Sequence, residues 1–298
     1  MKSLIDIKHR IKSVADTRQI TYAMETVSIA KMRKAMRRFE TGRLFFETIK
    51  NAIDDVVLKS GDVSSVYFGE EKSGDTRDIY IVIASDKGLA GGFNHNVLKF
   101  AWGMIEGRKN CNVFTVGQVA REFFEKRGVT VDIEFSGAGY DPGKSDSAAI
   151  ADAVINLYKA GGVDGIYIVY TKMLSSTSMR PDRIKLLPFS RGEALKRLDA
   201  LDAQKEYVLS EIEYDPSPDA VLKKLVPQYL RWLIYGALIQ SSASEHCSRR
   251  NAMSNATKNA SEILDELKIE YNEARQESIT NELSEIITAS GAVNGAGV

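Results

Sequence analysis

All six prolines of this chain (Pro142, Pro181, Pro188, Pro216, Pro218 and Pro227) fall in one window, with none before residue 142 or after 227. Glycine is distributed unevenly too: Gly42 is the only one in the first 60 residues, and none lies between Gly236 and Gly291. These two residues are the strongest destabilisers of a helix interior. Both ends of the chain are therefore free to form long helices. The middle is punctuated like a compact domain.

The first segment opens with Ser3 as a helix cap and Asp6 as an acid in the first turn. Leu4, Ile7, Ile11 and Val14 then follow at spacings of three and four, which draw one apolar stripe. The stripe stumbles at Asp16–Gln19, resumes with Ile20, Met24 and Val27, and continues less regularly through Met32, Met36 and Phe39. Gly61 is a reasonable stop. Roughly 55 helical residues would measure about 80 Å.

From Asp78 the texture changes. Residues 79–84, 112–116, 129–135 and 165–170 read as strands, and helical stretches fill 95–106, 118–126 and 145–160. Alternating strand and helix imply a parallel-type sheet with covered faces. Residues near 184–189 and 206–213 are candidates for further extended pieces.

Ser217-Pro218-Asp219 is a helix start: a hydroxyl cap, Pro at the first position, then an acid. About 70 residues from there to Ala289 would span about 105 Å, with a kink or loosening at Pro227. Ala260, Leu264, Leu267, Tyr271 and Ala274 keep heptad spacing, and Ile279, Leu283 and Ile286 form a second set out of phase with it. The tail from Gly291 to Val298 is expected to fray.

The two ends suit each other. Residues 1–43 carry 11 Lys/Arg against four acids, while residues 262–285 carry eight acids against Lys268 and Arg275. Opposite signs favour pairing within the chain, and its simplest form is antiparallel. The last helix would outrun the first by about 25 Å. Its tip carries Ile279, Leu283, Ile286 and Ile287, and bare apolar tips are unusual on a solitary protein. A separate protein is expected to enclose it.

Composition narrows the function classes. Forty Lys+Arg against 40 Asp+Glu remove the long-range field of a general nucleic-acid binder. Two distant cysteines, Cys111 and Cys247, suit a reducing compartment, and no apolar run approaches bilayer length. The loop Ser85-Asp-Lys-Gly-Leu-Ala-Gly-Gly-Phe-Asn94 can be read as a phosphate cradle or as a tight turn with close backbone packing. It lacks G-x-G-x-x-G spacing, no ribose-binding acid ends the second strand, and no G-x-x-x-x-G-K-[ST] occurs. His9, His95 and His246 are scattered, no Cys/His/acid cluster has metal-ligand spacing, and His9 and His246 read as helix-face residues. The basic run Lys31–Arg38 fits a solvated helix face, an acidic protein loop, nucleic acid or an acidic lipid surface.

Several strings resemble one family, the gamma subunits of F-type ATP synthases of bacterial type. Ile7-Lys-His-Arg-Ile-Lys-Ser-Val14, Thr17-Arg-Gln-Ile-Thr21, Ala23-Met24 and Ala30-Lys-Met-Arg33 are similar to its first helix. Residues 85–94 resemble its loop after the first strand. Ala243-Ser-Glu-His246, Tyr271-Asn-Glu-Ala-Arg-Gln-Glu-Ser-Ile-Thr280 and Glu282-Leu-Ser-Glu-Ile286 resemble its last helix. Lys87 stands where Arg is more usual and Ala90 where many members have Cys; the cysteine-containing regulatory insertion of the chloroplast branch is missing.

The resemblance implies a long antiparallel coiled coil of the terminal helices with a central Rossmann-like α/β domain. Its divisions would be helix 1–60, α/β foot 75–190, connector 191–216, helix 217–290 and tail 291–298. It implies a rotor shaft inside a hexamer of alpha and beta subunits, with the epsilon subunit and the membrane c-ring as further partners. No active site, cofactor, metal, nucleic acid or direct membrane insertion is implied. The complex would sit peripherally on the cytoplasmic face of the cell membrane. Met24, Lys31, Arg33, Arg249, Arg275, Gln276 and Thr280 match contacts to the hexamer, and Ile279, Leu283, Ile286 and Ile287 the apolar upper bearing. A coiled-coil scaffold and a nucleotide-binding Rossmann-like enzyme are the competing readings.

Overall fold

The computed structural model describes residues 4–59, 65–69, 76–108, 110–135, 137–176, 178–189, 214, 215 and 217–295; for 58, 59 and 288–295 the backbone alone is described. Its elements are α1 (Leu4–Lys59), β1 (Asp78–Ile83), α2 (Phe93–Ile105), β2 (Cys111–Val116), α3 (Gln118–Glu125), β3 (Val131–Phe135), α4 (Lys144–Lys159), β4 (Gly165–Met173), β5 (Met179–Leu187) and α5 (Pro218–Gly295). They form two compact units, one of Met1–Val27 with Arg250–Val298 and the other of Ser28–Arg249.

In the larger unit, five strands hydrogen-bond in the order β3-β2-β1-β4-β5. Side chains alternate across a strand, and the central strands use both faces. Ile79, Ile81, Ile83, Ile166 and Ile168 point to a core shared with Ile150, Ala151 and Val154 of α4. The same core takes Ile49, Ile53 and Val56 of α1, and Leu222, Val226, Leu230, Ile234 and Leu238 of α5. Tyr80, Val82, Tyr167 and Val169 point the other way, onto Val97, Leu98 and Ala101 of α2 and Ala120 and Phe124 of α3. The unit is therefore three-layered, as continuous apolar strands require.

The sheet is not wholly parallel. β1 runs parallel to both β2 and β4, and β2 to β3, but β5 is antiparallel to β4. The physical reason is the short β4–β5 connection: a parallel return needs a crossover of a dozen or more residues. The connector 191–216 and the proposed extended piece at 206–213 lie outside the described residues, apart from Tyr214 and Asp215. Gly61 and Ser3 lie outside them as well.

In the smaller unit, α1 and α5 form a coiled coil. Ile7 and Thr21 of α1 are buried, as are Met253, Ala260, Leu264 and Leu267 of α5. The Thr257 hydroxyl donates to Thr21 Oγ1 at 2.8 Å. Here the sequence pattern misleads. Ile20 and Val27, expected to continue the stripe, are exposed, and the buried face passes through Thr21 and Ser28 instead. Along α1 the buried or half-buried positions Ile7, Val14, Thr21, Ser28, Ala35, Gly42, Ile49 and Val56 recur every seven residues. That seam is heptad-true but polar or small at its centre, so an apolar count slides off it.

With Thr21 opposite Thr257, an antiparallel partner runs out near Ala274, where α1 begins at Leu4. Beyond that point Ile279, Leu283, Ile286 and Ile287 are 44%, 54%, 65% and 71% exposed. α5 stays helical through Pro227 and on to Gly295, past the Gly291 at which fraying is expected. A helical glycine costs about 1 kcal/mol relative to alanine.

Candidate functional site

In an open α/β sheet, ligands bind outside the carboxyl ends of the strands where the strand order reverses. Here that point lies between β1 and β4. The loop after β1 is tied to itself: Asn94 Oδ1 accepts the Ser85 N–H at 3.0 Å, and Ser85 Oγ donates to the Lys87 carbonyl at 2.6 Å. Neighbouring loops press on the same strand end. A Cβ on Gly117, which sits at φ +93°, would lie 2.5 Å from the Ala84 carbonyl oxygen; one on Gly139 would lie 2.9 Å from it.

Helix α5 occupies the crevice. Ser242 Oγ donates to the Tyr140 carbonyl at 3.0 Å, Ser244 Oγ to that of Thr171 at 3.1 Å, and Cys247 Sγ to that of Ser176 at 2.9 Å. Ser248 Oγ donates to the Ala90 carbonyl at 2.6 Å and the Arg249 guanidinium to that of Gly88 at 3.3 Å. His246 Nε2 lies 3.4 Å from the Tyr140 carbonyl, and its Nδ1 lies 3.3 Å from an Arg249 nitrogen. This pattern assigns the proton to Nε2 in a neutral ring. Burial, reinforced by the Arg249 charge, pushes His246 down to about 4. Arg249 also pairs with Glu245 at 2.5 Å, their side chains being 7% and 1% exposed. Burial holds the Glu245 carboxyl above its ordinary range, although Arg249 opposes the shift. The helix thus satisfies loop carbonyls along both sides of the switch point, at about 0.5–1.5 kcal/mol for each ordinary bond.

A second cluster lies beside it. Asp141 accepts from Lys34 at 2.9 Å and Arg38 at 2.6 Å, and Lys31 Nζ stands 3.5 Å over the Tyr140 ring. The Lys34 hydrogen bond is the main influence holding the Asp141 carboxyl below its usual range. Lys31, Lys34 and Arg38 of the basic run therefore meet a loop of their own chain, while Arg33 and Arg37 stay exposed.

The residues singled out in the sequence separate into two groups. Arg275, Gln276 and Thr280 are exposed on the bare stretch of α5 together with Ile279, Leu283, Ile286 and Ile287, and the Thr280 hydroxyl bonds back to the Gln276 carbonyl at 2.8 Å. Met24 is half-buried and Arg33 exposed on α1. Arg249 departs from the expected surface contact, because its guanidinium is engaged inside the crevice. His246, read as a helix-face residue, lies on the face of α5 that is buried in the crevice. Sequence reasoning missed Tyr140, Asp141 and the Ser242–Ser248 contacts. The available signal was the run Ser241–Ser248, polar in a stretch of helix that is otherwise apolar.

Fold and site together define a class: an α/β domain whose ligand crevice is closed by its own helix, on a chain that also builds a coiled coil with a bare apolar tip. The sequence profile of the ATP synthase family matches residues 3–293. The chain is 36% identical over 294 residues to an ATP synthase gamma chain of Acetivibrio thermocellus, covering 98% of this chain and 100% of the relative. It is 38% identical to a sodium ion specific ATP synthase gamma chain of Acetobacterium woodii, covering 97% and 98%. It is similar in fold to a chain of the Euglena gracilis mitochondrial ATP synthase (TM-score 0.68, 18% identity, 99% and 96% covered). It is also similar in fold to a central stalk/c-ring chain from Tetrahymena thermophila (TM-score 0.56, 22% identity, 80% and 99% covered). The chain belongs to the ATP synthase gamma-chain family.

Proposed function

We propose that this chain is the central rotor shaft of an F-type ATP synthase and couples ion-driven rotation of a membrane ring to conformational change at catalytic sites held by other subunits. The observation that carries this reading is full-length similarity to gamma chains combined with a helix tip that leaves four large apolar side chains exposed. Such a tip needs an enclosing partner. The alpha and beta subunits of a hexamer fit that role, with the epsilon subunit and the c-ring as partners elsewhere.

The chain has no catalytic role of its own in this reading. Its α5 is bonded to the loops of the α/β crevice, and in this reading the ligand chemistry belongs to the neighbours. Met24, Lys31, Arg33, Arg275, Gln276 and Thr280 touch the hexamer. Long polar side chains on an exposed helix make and break charge-assisted bonds as the shaft turns. Arg249 acts as an internal strut, and the Ser242–Arg249 bonds keep helix and sheet from slipping under torque. No described helix is long and apolar enough to cross a membrane, which supports peripheral attachment. The face would be the cytoplasmic one of a bacterial cell membrane.

The test is a reversible cross-link. In the assembled complex, with Cys111 replaced by Ser, a Met24→Cys shaft is oxidised onto a cysteine introduced in the facing part of the beta subunit. Turnover should stop and return on reduction. A cross-linked complex that keeps full ATPase activity would remove the rotor reading.

A further inference from the structure

On the face of the sheet that carries α1 and α5, packing leaves a cavity of about 160 Å³. Phe39 and Phe46 of α1, Trp232 and Gly236 of α5, Tyr170 of β4 and Ile184 of β5 line it, so it lies wholly inside the larger unit. Its wall is almost entirely apolar. The guanidinium groups at its rim are already engaged, Arg38 with Asp141 and Arg43 with Glu40 and Glu47. Gln240 also borders it, but the carboxamide oxygen is sealed within the wall. The gap persists for a geometric reason. A Cβ on Gly42 would lie 2.9 Å from Trp232 Cζ3, so the indole rests on bare α1 backbone. Phe45, at 5.0 Å between ring centroids, and Tyr235, edge-on at 5.5 Å, hold the same ring at the wall. Gly236 brings no side chain to fill the space, and the atoms around it forgo dispersion contacts on that side.

We propose that this cavity binds a neutral molecule the size of one aromatic ring. Size, shape and polarity point the same way. An apolar cavity of about 150 Å³ accommodates benzene. Phe39, Phe46, Tyr170 and Trp232 offer rings for edge-to-face contact with a flat guest. The rim charges are paired within the chain, so a charged guest would be desolvated without a counter-charge of its own. The guest touches α1, α5 and the sheet together and so ties both helices to the strands. The inference is independent of the rotor reading, since every wall residue belongs to the larger unit.

The full chain carrying Trp102→Phe, which leaves Trp232 as its sole tryptophan, is titrated with iodobenzene, whose heavy atom quenches an indole it touches. Saturable quenching, reversed by excess toluene, is expected, together with a rise in melting temperature in the presence of toluene. In Gly236→Ala the new methyl would meet only Phe39 Cε2, at 3.8 Å, and alanine is the better helix residue. The variant should therefore melt no lower than the parent while binding iodobenzene several-fold more weakly. Gly236→Leu fills more of the space and should abolish saturable quenching. 4-Iodobenzoate, the same ring with a charge, should bind more weakly than iodobenzene. Quenching that rises without saturation, no reversal by toluene, parental affinity in both Gly236 variants, or tighter binding of 4-iodobenzoate overturns the proposal.

Discussion

Replacing Arg249 by Met tests whether the crevice is held by a buried charge pair. Arg249 and Glu245 are nearly sealed from solvent, and the guanidinium also serves the Gly88 carbonyl. Met keeps much of the apolar stem but leaves Glu245 without its counter-charge. Removing one partner of such a pair costs about 3–5 kcal/mol. The cost must depend on pH. The Glu245 carboxyl is already raised by burial, and Arg249 is the main influence lowering it; without it the carboxyl rises further. A folded-state acid raised above its unfolded value holds a proton that the unfolded chain releases, so stability is greatest below the unfolded value and falls as pH rises through the folded one. The loss in Arg249→Met should therefore be larger at about pH 8 than at about pH 5.5. Glu245→Gln added to Arg249→Met should recover part of it, since a neutral amide has no charge to bury. Urea unfolding at both pH values, with slopes compared to confirm two-state behaviour, measures this. A loss under about 1 kcal/mol, or one equal at both pH values, would refute the reasoning.

Other outcomes are expected. His246 is depressed to about 4, so its contribution is whole above its ordinary value near 6.5 and is lost as pH falls toward 4; His246→Gln should remove an acid-side loss of up to about 3 kcal/mol in pH-dependent melts. Gly117→Ala combines a positive φ with a Cβ 2.5 Å from a backbone oxygen, and should cost about 2–4 kcal/mol in equilibrium unfolding. Asp141→Asn weakens ties to Lys34 and Arg38 that are about half exposed, and should change stability by less than about 1 kcal/mol by the same assay. Ile279→Ser, Leu283→Ser and Ile286→Ser together should leave the melting temperature of the isolated chain unchanged, because all three are exposed, while co-purification with hexamer subunits falls.

What was readable in the chain is local. The confinement of proline to 142–227 predicted helical ends, and Ser217-Pro218-Asp219 marked the start of α5 within a residue. β1 and β4, buried on both faces, read as strands because both alternating sets are apolar. The bare tip followed from comparing two helix lengths, since the rise per residue is constant. The seam through Thr21, Ser28 and Ala35 was hidden, because small and polar residues can be buried wherever two helices approach closely or hydroxyls pair across them.

Periodicity and breaker placement determined which stretches are helix and strand, because those depend on neighbours a few residues apart. The long-range arrangement was decided only in three dimensions. Glu245, His246 and Arg249 look like surface polar residues in one dimension, and the basic run of α1 looks like a solvated face. Packing turned the first group into a buried network closing the switch-point crevice, and gave the second a partner in Asp141. Their partners, Gly88 and Asp141, lie more than a hundred residues away, and no local pattern encodes which distant carbonyl a side chain will meet.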